Sequence, residues 1–159
     1  ALLPDQHRVL AFYGLSPDVA DMIRNPESFI KTVNATDMLG YQINIENLAV
    51  DLKATKAGLS KAKAVIGDHW LAVGDAALAL DPLSSQGMFF SLYSGIRGAE
   101  TVLQMIKTDH TSENMAIQYQ QKVDQVFEAN QKSRKYYYTS ELRYTDNPFW
   151  SRWFVPSMV

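Results

Sequence analysis

The residues of this sequence best suited to chemistry lie near the middle of the chain. A short apolar run ends in Gly74-Asp75, and a connection of small residues then leads through Asp81-Pro82 to Gly87. This order predicts a strand with a carboxylate at its C-terminal end. A loop follows, with backbone N–H groups exposed at the start of a helix. Open α/β folds bind ligands at such carboxyl ends of buried strands.

Each residue type has a physical reason to be there. The carboxylate of Asp75 can accept strong hydrogen bonds from the hydroxyls of a sugar or ribityl chain, and Gly74 lets the backbone approach a ligand without a Cβ. Pro82 fixes the next turn. Gly87 and Met88 would offer N–H groups at a helix end with partial positive charge. Each feature alone is typical of an ordinary turn, and only the complete order indicates a ligand site.

Two kinds of element must position this segment. The runs 62–66 and 70–73 flank Gly67-Asp68, a dipeptide typical of tight turns, and predict a hairpin. From Gln86 onward the pattern is helical. An apolar face of the helix is formed by Leu92, Ile96, Ala99, Leu103 and Ile106. Small residues four apart, at Ser91, Gly95 and Ala99, would allow close packing.

The flanking regions predict further strands and helices. Residues 7–14 are rich in β-branched and aromatic types and predict a strand. Ser16-Pro17 and Asn25-Pro26 are typical helix starts, and Gly40 is expected to end the second helix. Partial alternation over 41–66 predicts interrupted strands. A second long helix should begin near 111–113, run to about Tyr138 and bury Tyr119, Val123, Val126 and Phe127. For the aromatic tail after Pro148 we favour packing, with Trp150 and Trp153 as the best candidates for exposure.

Composition narrows the function classes. The 159 residues are 47% hydrophobic and 20% charged, with a net charge of −2 and no cysteine. This balance gives no electrostatic case for nucleic acid or an anionic membrane. It excludes disulfides and thiolate chemistry. With neither a membrane-spanning run nor a signal-peptide pattern, we expect a cytoplasmic location. Because the chain begins at Ala1, we expect it to be a portion of a longer protein.

Other reactive residues favour ordinary roles. The three histidines, His7, His69 and His110, lie far apart without carboxylates at metal-ligand spacing, so no metal site is predicted. Ser84-Ser85 lacks the Gly-x-Ser-x-Gly elbow of a serine nucleophile. We therefore expect these serines to satisfy backbone groups of a loop.

The central string resembles the Gly-Asp-Ala-Ala…Asp-Pro…Gly segment shared by flavin-dependent monooxygenases of the aromatic hydroxylase type and tryptophan halogenases. Residues 1–4 are similar to the end of the Trp-x-Trp-x-Ile-Pro region of halogenase-like proteins. Residues 136–152 resemble the C-terminal aromatic signature of a halogenase-like subfamily, which includes flavoproteins that mature quinone-bearing oxidases. The resemblance implies FAD as cofactor. It assigns no catalytic residue, and it implies cofactor binding by Gly74, Asp75, Ala76, Pro82, Ser85, Gln86, Gly87 and Met88.

Two departures from the family pattern refine this expectation. The fingerprint Gly-x-Gly-x-x-Gly, which binds the ADP half of FAD, does not occur in this sequence, so the chain alone should bind FAD weakly or not at all. Halogenases carry Ser followed by Ser or Thr before the last glycine, and Gln86 stands at the second position here. Hydroxylation through a flavin hydroperoxide is therefore favoured over halogenation.

We thus expect an α/β parent, with α+β architecture in this fragment: the C-terminal part of a glutathione-reductase-type FAD-binding monooxygenase fold, with a partial sheet and two long helices. Residues 1–69 would be substrate-domain strands and short helices, 70–108 the FAD-contacting strand, loop and helix, and 109–159 the C-terminal helix and aromatic tail. The parent would hydroxylate an aromatic or peptide-borne substrate. The alternatives are a flavin-dependent halogenase and a truncated, non-catalytic module that binds a protein partner or an N-terminal half. A plain α+β domain without cofactor is the least favoured interpretation.

Overall fold

The structure is a computed structural model that describes residues 9–36, 51–107 and 112–154. The chain divides into two compact units, Ala1–Thr55 and Lys56–Val159. It is a mixed helical protein with small antiparallel sheets, compatible with the predicted α+β fragment. Within the described ranges, none of the helices combines the length and apolarity needed to cross a bilayer.

The first unit contains two short helices, α1 (Ser16–Arg24) and α2 (Pro26–Asn34). Both predicted helix starts are confirmed. The Asn25 side chain accepts a hydrogen bond from the Glu27 amide at 3.2 Å, which satisfies one of the free N–H groups at the start of α2. Leu15, rather than the predicted Ser16, is the N-cap of α1. A small core forms around Phe29, Ile30 and Val33.

The strand predicted over 7–14 is wrong in its described part, because residues 9–15 belong to no strand or helix. Strand propensity expresses packing against a neighbouring strand, and none of the described strands pairs with this stretch. Residues 37–50 include Gly40 and most of the predicted interrupted strands, and they lie outside the described residues. Residues 51–59, which follow them, are likewise without strand.

The second unit contains four strands of two residues each among its described residues: β1 (Ser60–Lys61), β2 (Ile66–Gly67), β3 (Trp70–Leu71) and β4 (Leu78–Ala79). β2 and β3 form the predicted hairpin, with Ile66 opposite Leu71 and the turn at Asp68-His69. β1 pairs with β4 in a second antiparallel ladder. After β3 the chain continues through two residues to Gly74, as the sequence predicts.

Two long helices support these strands. α3 spans Gly87–Lys107 and α4 spans Ser112–Ser140, so both predicted helices are confirmed. The core joins them to the strands through Val65, Ala77, Leu78, Phe90, Tyr119 and Val123. A short helix, α5 (Pro148–Ser151), follows and is capped by Asn147.

α4 also satisfies backbone groups of the hairpin region. The Tyr119 hydroxyl donates to the carbonyl of Ala72 at 2.8 Å, and the Val65 amide donates to Gln120 at 3.0 Å. A half-buried ion pair between Lys61 and Asp124 ties β1 to the same helix. These polar contacts matter because unpaired backbone groups are costly when buried.

The predicted apolar face of α3 is not the buried one. The side that packs against the strands carries Phe90, Ser94 and Gly98. A Cβ on Gly98 would lie 2.8 Å from side-chain carbons of both Leu71 and Val73. The predicted line of close packing through Ser91, Gly95 and Ala99 is wrong at Gly95, where a Cβ meets no atom within 4 Å, and at Ala99, which is exposed. The large apolar side chains remain solvent-exposed: Met88, Phe89, Leu92, Ile96, Leu103 and Ile106. We call these six residues the exposed α3 face.

Candidate functional site

Gly74 begins a 3-10 turn, Gly74–Ala76, directly after the second arm of the hairpin. Its φ of +57° lies in the left-handed region, which favours glycine. The buried Gly74 amide donates to the Ser94 hydroxyl at 2.8 Å, and Ser94 is itself buried. The turn is therefore anchored on α3 through its own backbone.

Asp75 and Ala76 are exposed on this anchored turn. Among the described residues, no hydrogen bond or ion pair occupies the Asp75 carboxylate. An exposed carboxylate on a fixed backbone can accept hydrogen bonds from hydroxyl groups of a ligand. The geometry therefore leaves Asp75 available for the role that the sequence predicts.

The Asp81-Pro82 step forms a second 3-10 turn, Pro82–Ser84. Asp81 caps it: its carboxylate accepts a hydrogen bond from the Leu83 amide at 3.0 Å, and its carbonyl accepts one from the Ser84 hydroxyl at 2.8 Å. Ser84 thus satisfies the backbone, as expected for a loop serine. Ser85 follows with φ of 51°, a left-handed conformation that costs a non-glycine residue about 1 kcal/mol or more.

α3 begins directly after this loop. The first helical hydrogen bond runs from the Phe90 amide to the Gln86 carbonyl at 2.8 Å, so the amides of Gly87 and Met88 precede the intrahelical ladder. Gln86 and Met88 are exposed, and a Cβ built on Gly87 meets no atom within 4 Å. The helix start is therefore open to a ligand.

One side chain joins the Gly-Asp turn to this helix start. The Ser91 hydroxyl donates to the Gly87 carbonyl at 3.0 Å and lies 3.1 Å from the Cβ position of Gly74. The two ends of the predicted site, separated along the sequence, are thus neighbours in space. The sequence predicts only close packing for Ser91 and no role for Ser94. Their spacing of three on a helix was the signal for a shared face.

Other parts of the described chain offer less chemistry. No group of three or more His, Asp or Glu residues that could hold a metal occurs among the described residues, and His69 lies in the exposed hairpin turn. His7 and His110 fall outside the described ranges. A crevice between α3 and α4, lined by Phe90, Tyr93, Arg97 and Tyr119 among others, holds about 10 Å³. That volume is far too small for a cofactor or a substrate.

Gly74→Ala is expected to destabilise the 159-residue chain by about 1–2 kcal/mol, because an L side chain strains the left-handed backbone and its Cβ would crowd Ser91. Urea unfolding measures the change. The matched control is Gly95→Ala on α3, where a Cβ meets no atom within 4 Å and about 0.5–1 kcal/mol of stabilisation is expected. Equal unfolding free energies for the two variants would contradict the anchored turn.

The comparisons with known proteins give partial similarities. The chain is 31% identical over 85 residues to a protein named putative FAD-dependent oxidoreductase LodB of Marinomonas mediterranea, covering 54% of this chain and 21% of that protein. It is 46% identical over 41 residues to a 1H-pyrrole-2-carbonyl-[peptidyl-carrier protein] brominase of Pseudoalteromonas luteoviolacea, covering 26% of this chain and 10% of that protein. No family model and no solved structure matches.

The matched regions thus span about a fifth and a tenth of these relatives. One relative is named as an FAD-dependent oxidoreductase and the other as a brominase, which is a halogenase. The similarity therefore points to the flavin-dependent oxidoreductase and halogenase proteins as the relatives of this chain.

Proposed function

We propose that this chain supplies the isoalloxazine-side half of an FAD site in a flavin-dependent monooxygenase. The observation that carries the proposal is the contact of Ser91 with both Gly74 and Gly87, because it places the Asp75 turn beside the open start of α3. The partial similarity to an FAD-dependent oxidoreductase supports the same cofactor. The parent fold would be of the glutathione-reductase type.

The described residues fit a flavin at this place. Asp75 would accept hydrogen bonds from ribityl hydroxyls, Pro82 would pack near the ring system, and the amides of Gly87 and Met88 would face its N1–C2 carbonyl edge. Ala76, Ser85 and Gln86 would complete the surrounding surface, and all three are exposed. A helix start favours negative charge, and a reduced flavin carries such charge at that edge. When bound, the flavin supplies the oxygen chemistry, while the protein supplies position and electrostatics.

The proposed substrate is an aromatic or peptide-borne group that becomes hydroxylated. Halogenation is the first alternative, and the similarity to a brominase favours it. Gln86 argues against it, because its side chain stands in the loop that holds the halide in the halogenases that this sequence resembles. Titrating bromide into the flavin-loaded protein separates the two activities: a saturable change in the flavin absorption spectrum would favour the halogenase.

The decisive experiment concerns the full product of the gene that encodes this chain. Its sequence should contain Gly-x-Gly-x-x-Gly, and the purified protein should show the absorption bands of bound flavin. The 159-residue chain, titrated with FAD while flavin fluorescence is followed, should bind much more weakly because the ADP half is unsupported. A colourless full product without the fingerprint would overturn the proposal.

The second candidate function is a non-catalytic module that binds a protein partner. The exposed α3 face favours it, because exposed contiguous apolar surface marks interaction sites. Met88 is 84% exposed and Ile106 is 76% exposed. The colourless outcome just described would select this function over the flavoenzyme.

A further inference from the structure

Four aromatic side chains at the C-terminal end of the described chain pack on one another. The rings of Tyr138 and Trp153 are parallel, with centroids 4.3 Å apart. Phe149 and Trp150 approach Tyr138 at 6.1 and 5.8 Å. We call these four residues the aromatic cluster. The predicted packing of the tail is thus confirmed, whereas neither Trp150 nor Trp153 is among the exposed residues.

The aromatic cluster has a polar end that reaches the proposed flavin loop. The Tyr138 hydroxyl donates to a carboxylate oxygen of Asp81 at 3.3 Å. The same oxygen accepts the hydrogen bond from the Leu83 amide, so one atom connects α4 to the turn that contains Pro82. Asp81 is only 6% exposed, and a buried carboxylate is costly unless it is paired.

Arg134 completes the environment of Asp81. Its guanidinium lies 3.8 Å from the second carboxylate oxygen and 4.8 Å from the centre of the Trp153 ring. Arg134 and Tyr138 are four residues apart on α4, which places both on one face of the helix. The aromatic cluster and Arg134 therefore hold Asp81 through two separate groups.

The Tyr138 hydroxyl stays protonated, so it can donate a hydrogen bond. Burial raises the pKa of Tyr138, and the neighbouring Asp81 carboxylate raises it further. A protonated phenol can donate to the carboxylate, whereas a phenolate would repel it. The hydrogen bond is therefore available throughout the neutral pH range.

We infer that Tyr138 is a positioning residue for the loop from Asp81 to Gly87, and that the C-terminal aromatic cluster thereby sets the geometry of the flavin-facing loop. The inference rests on the proposed function for its ligand. Its structural part, the coupling of Tyr138 to the loop, stands on the Asp81 contacts alone. A side chain 57 residues from Asp81 in sequence thus controls where Pro82 and the helix start lie.

The first test uses the 159-residue chain without ligand. Tyr138→Phe keeps the ring stacked on Trp153 and removes only the hydroxyl. We expect the Leu83 amide, measured by NMR hydrogen exchange, to exchange about three- to tenfold faster. The Val123 amide in the core of α4 should be unchanged. Tyr137→Phe, at an exposed position of the same helix, is the matched control and should alter neither amide.

A second variant keeps the inference testable if Tyr138→Phe fails to fold. Trp153→Phe retains an aromatic contact for Tyr138 while reducing the stacked area. Its Leu83 exchange should fall between those of the wild type and Tyr138→Phe. Unchanged Leu83 exchange in both variants would overturn the inference.

The flavin test is made on the full gene product. Tyr138→Phe should weaken FAD binding about three- to tenfold and shift the flavin absorption maximum, whereas Tyr137→Phe should do neither. Failure of the wild type to bind FAD would overturn the proposed function, with Leu83 exchange still reporting the coupling. Unaltered FAD affinity and spectrum in Tyr138→Phe, when the wild type binds FAD, would overturn the positioning role alone.

Discussion

Asp75→Ala is expected to lower the FAD affinity of the full gene product by about ten- to a hundredfold. A hydrogen bond to an ionised carboxylate is worth about 1.5–3 kcal/mol, and each 1.4 kcal/mol corresponds to a tenfold change in affinity. Asp75 is exposed on a turn whose backbone is anchored to Ser94, so its loss should not disturb the fold. Flavin fluorescence titration gives the affinity, and urea unfolding should show stability within about 0.5 kcal/mol of the wild type.

The matched control is Asp68→Ala. Asp68 is an exposed carboxylate in the hairpin turn of the same unit, so the substitution removes the same charge from a different place. It should leave FAD affinity unchanged within about twofold. If Asp75→Ala and Asp68→Ala retained FAD equally well, the cofactor would not lie where we propose.

Leu78→Ala should destabilise the 159-residue chain by about 2–5 kcal/mol, the usual cost of removing a large buried side chain and leaving a cavity. Leu78 is 0% exposed and belongs to the core with Val65, Phe90 and Tyr119. It lies on β4 opposite Lys61 of β1. Urea unfolding followed by circular dichroism measures the loss, which is a large part of the stability of a domain of this size.

Leu92→Ala removes the same atoms from a surface position and is the control for Leu78. Leu92 is 71% exposed on α3, so its truncation should change the unfolding free energy by less than about 0.5 kcal/mol. Similar losses for Leu78→Ala and Leu92→Ala would mean that the exposed α3 face is buried against something in solution. An unfolding midpoint that depends on protein concentration would show that a second copy of the chain buries the exposed α3 face.

The elements predicted correctly are those whose signals are local. Pro17 and Pro26 stand at the starts of α1 and α2, and the apolar spacing after Gln86 produces α3. Cap chemistry and helical periodicity act within a few residues. The strand predicted over 7–14 is wrong for residues 9–14, the described part, because a strand needs a partner and residue types do not reveal whether one is present. The hairpin turn moved by only one residue, from Gly67-Asp68 to Asp68-His69.

The buried side of α3 could not be read from hydrophobicity. Leu92 and Ile96 form the more apolar face, but the strands pack against Ser94 and Gly98 because small residues permit close approach. The order of turn, loop and helix start in the candidate site could be predicted, since Gly74, Asp81 and Gly87 follow the Gly-Asp, Asp-Pro, Gly order described above. The contact of Asp81 with Tyr138 spans 57 residues and has no local signature. A contact between residues so far apart in sequence is visible only in the folded structure.

The absence of a side chain at Gly98 allows the hairpin arm to lie very close to α3. Because Leu71 and Val73 fill the space where a Cβ would stand, the gap between the hairpin arm and α3 is as narrow as a glycine allows. The same arm continues directly to Gly74, and the same helix begins at Gly87. The close approach of the hairpin arm to α3 is therefore set at residue 98, about three helical turns along α3 from Gly87. A methyl group at residue 98 would require the side chains of Leu71 and Val73 to move, on the same arm that leads to Gly74.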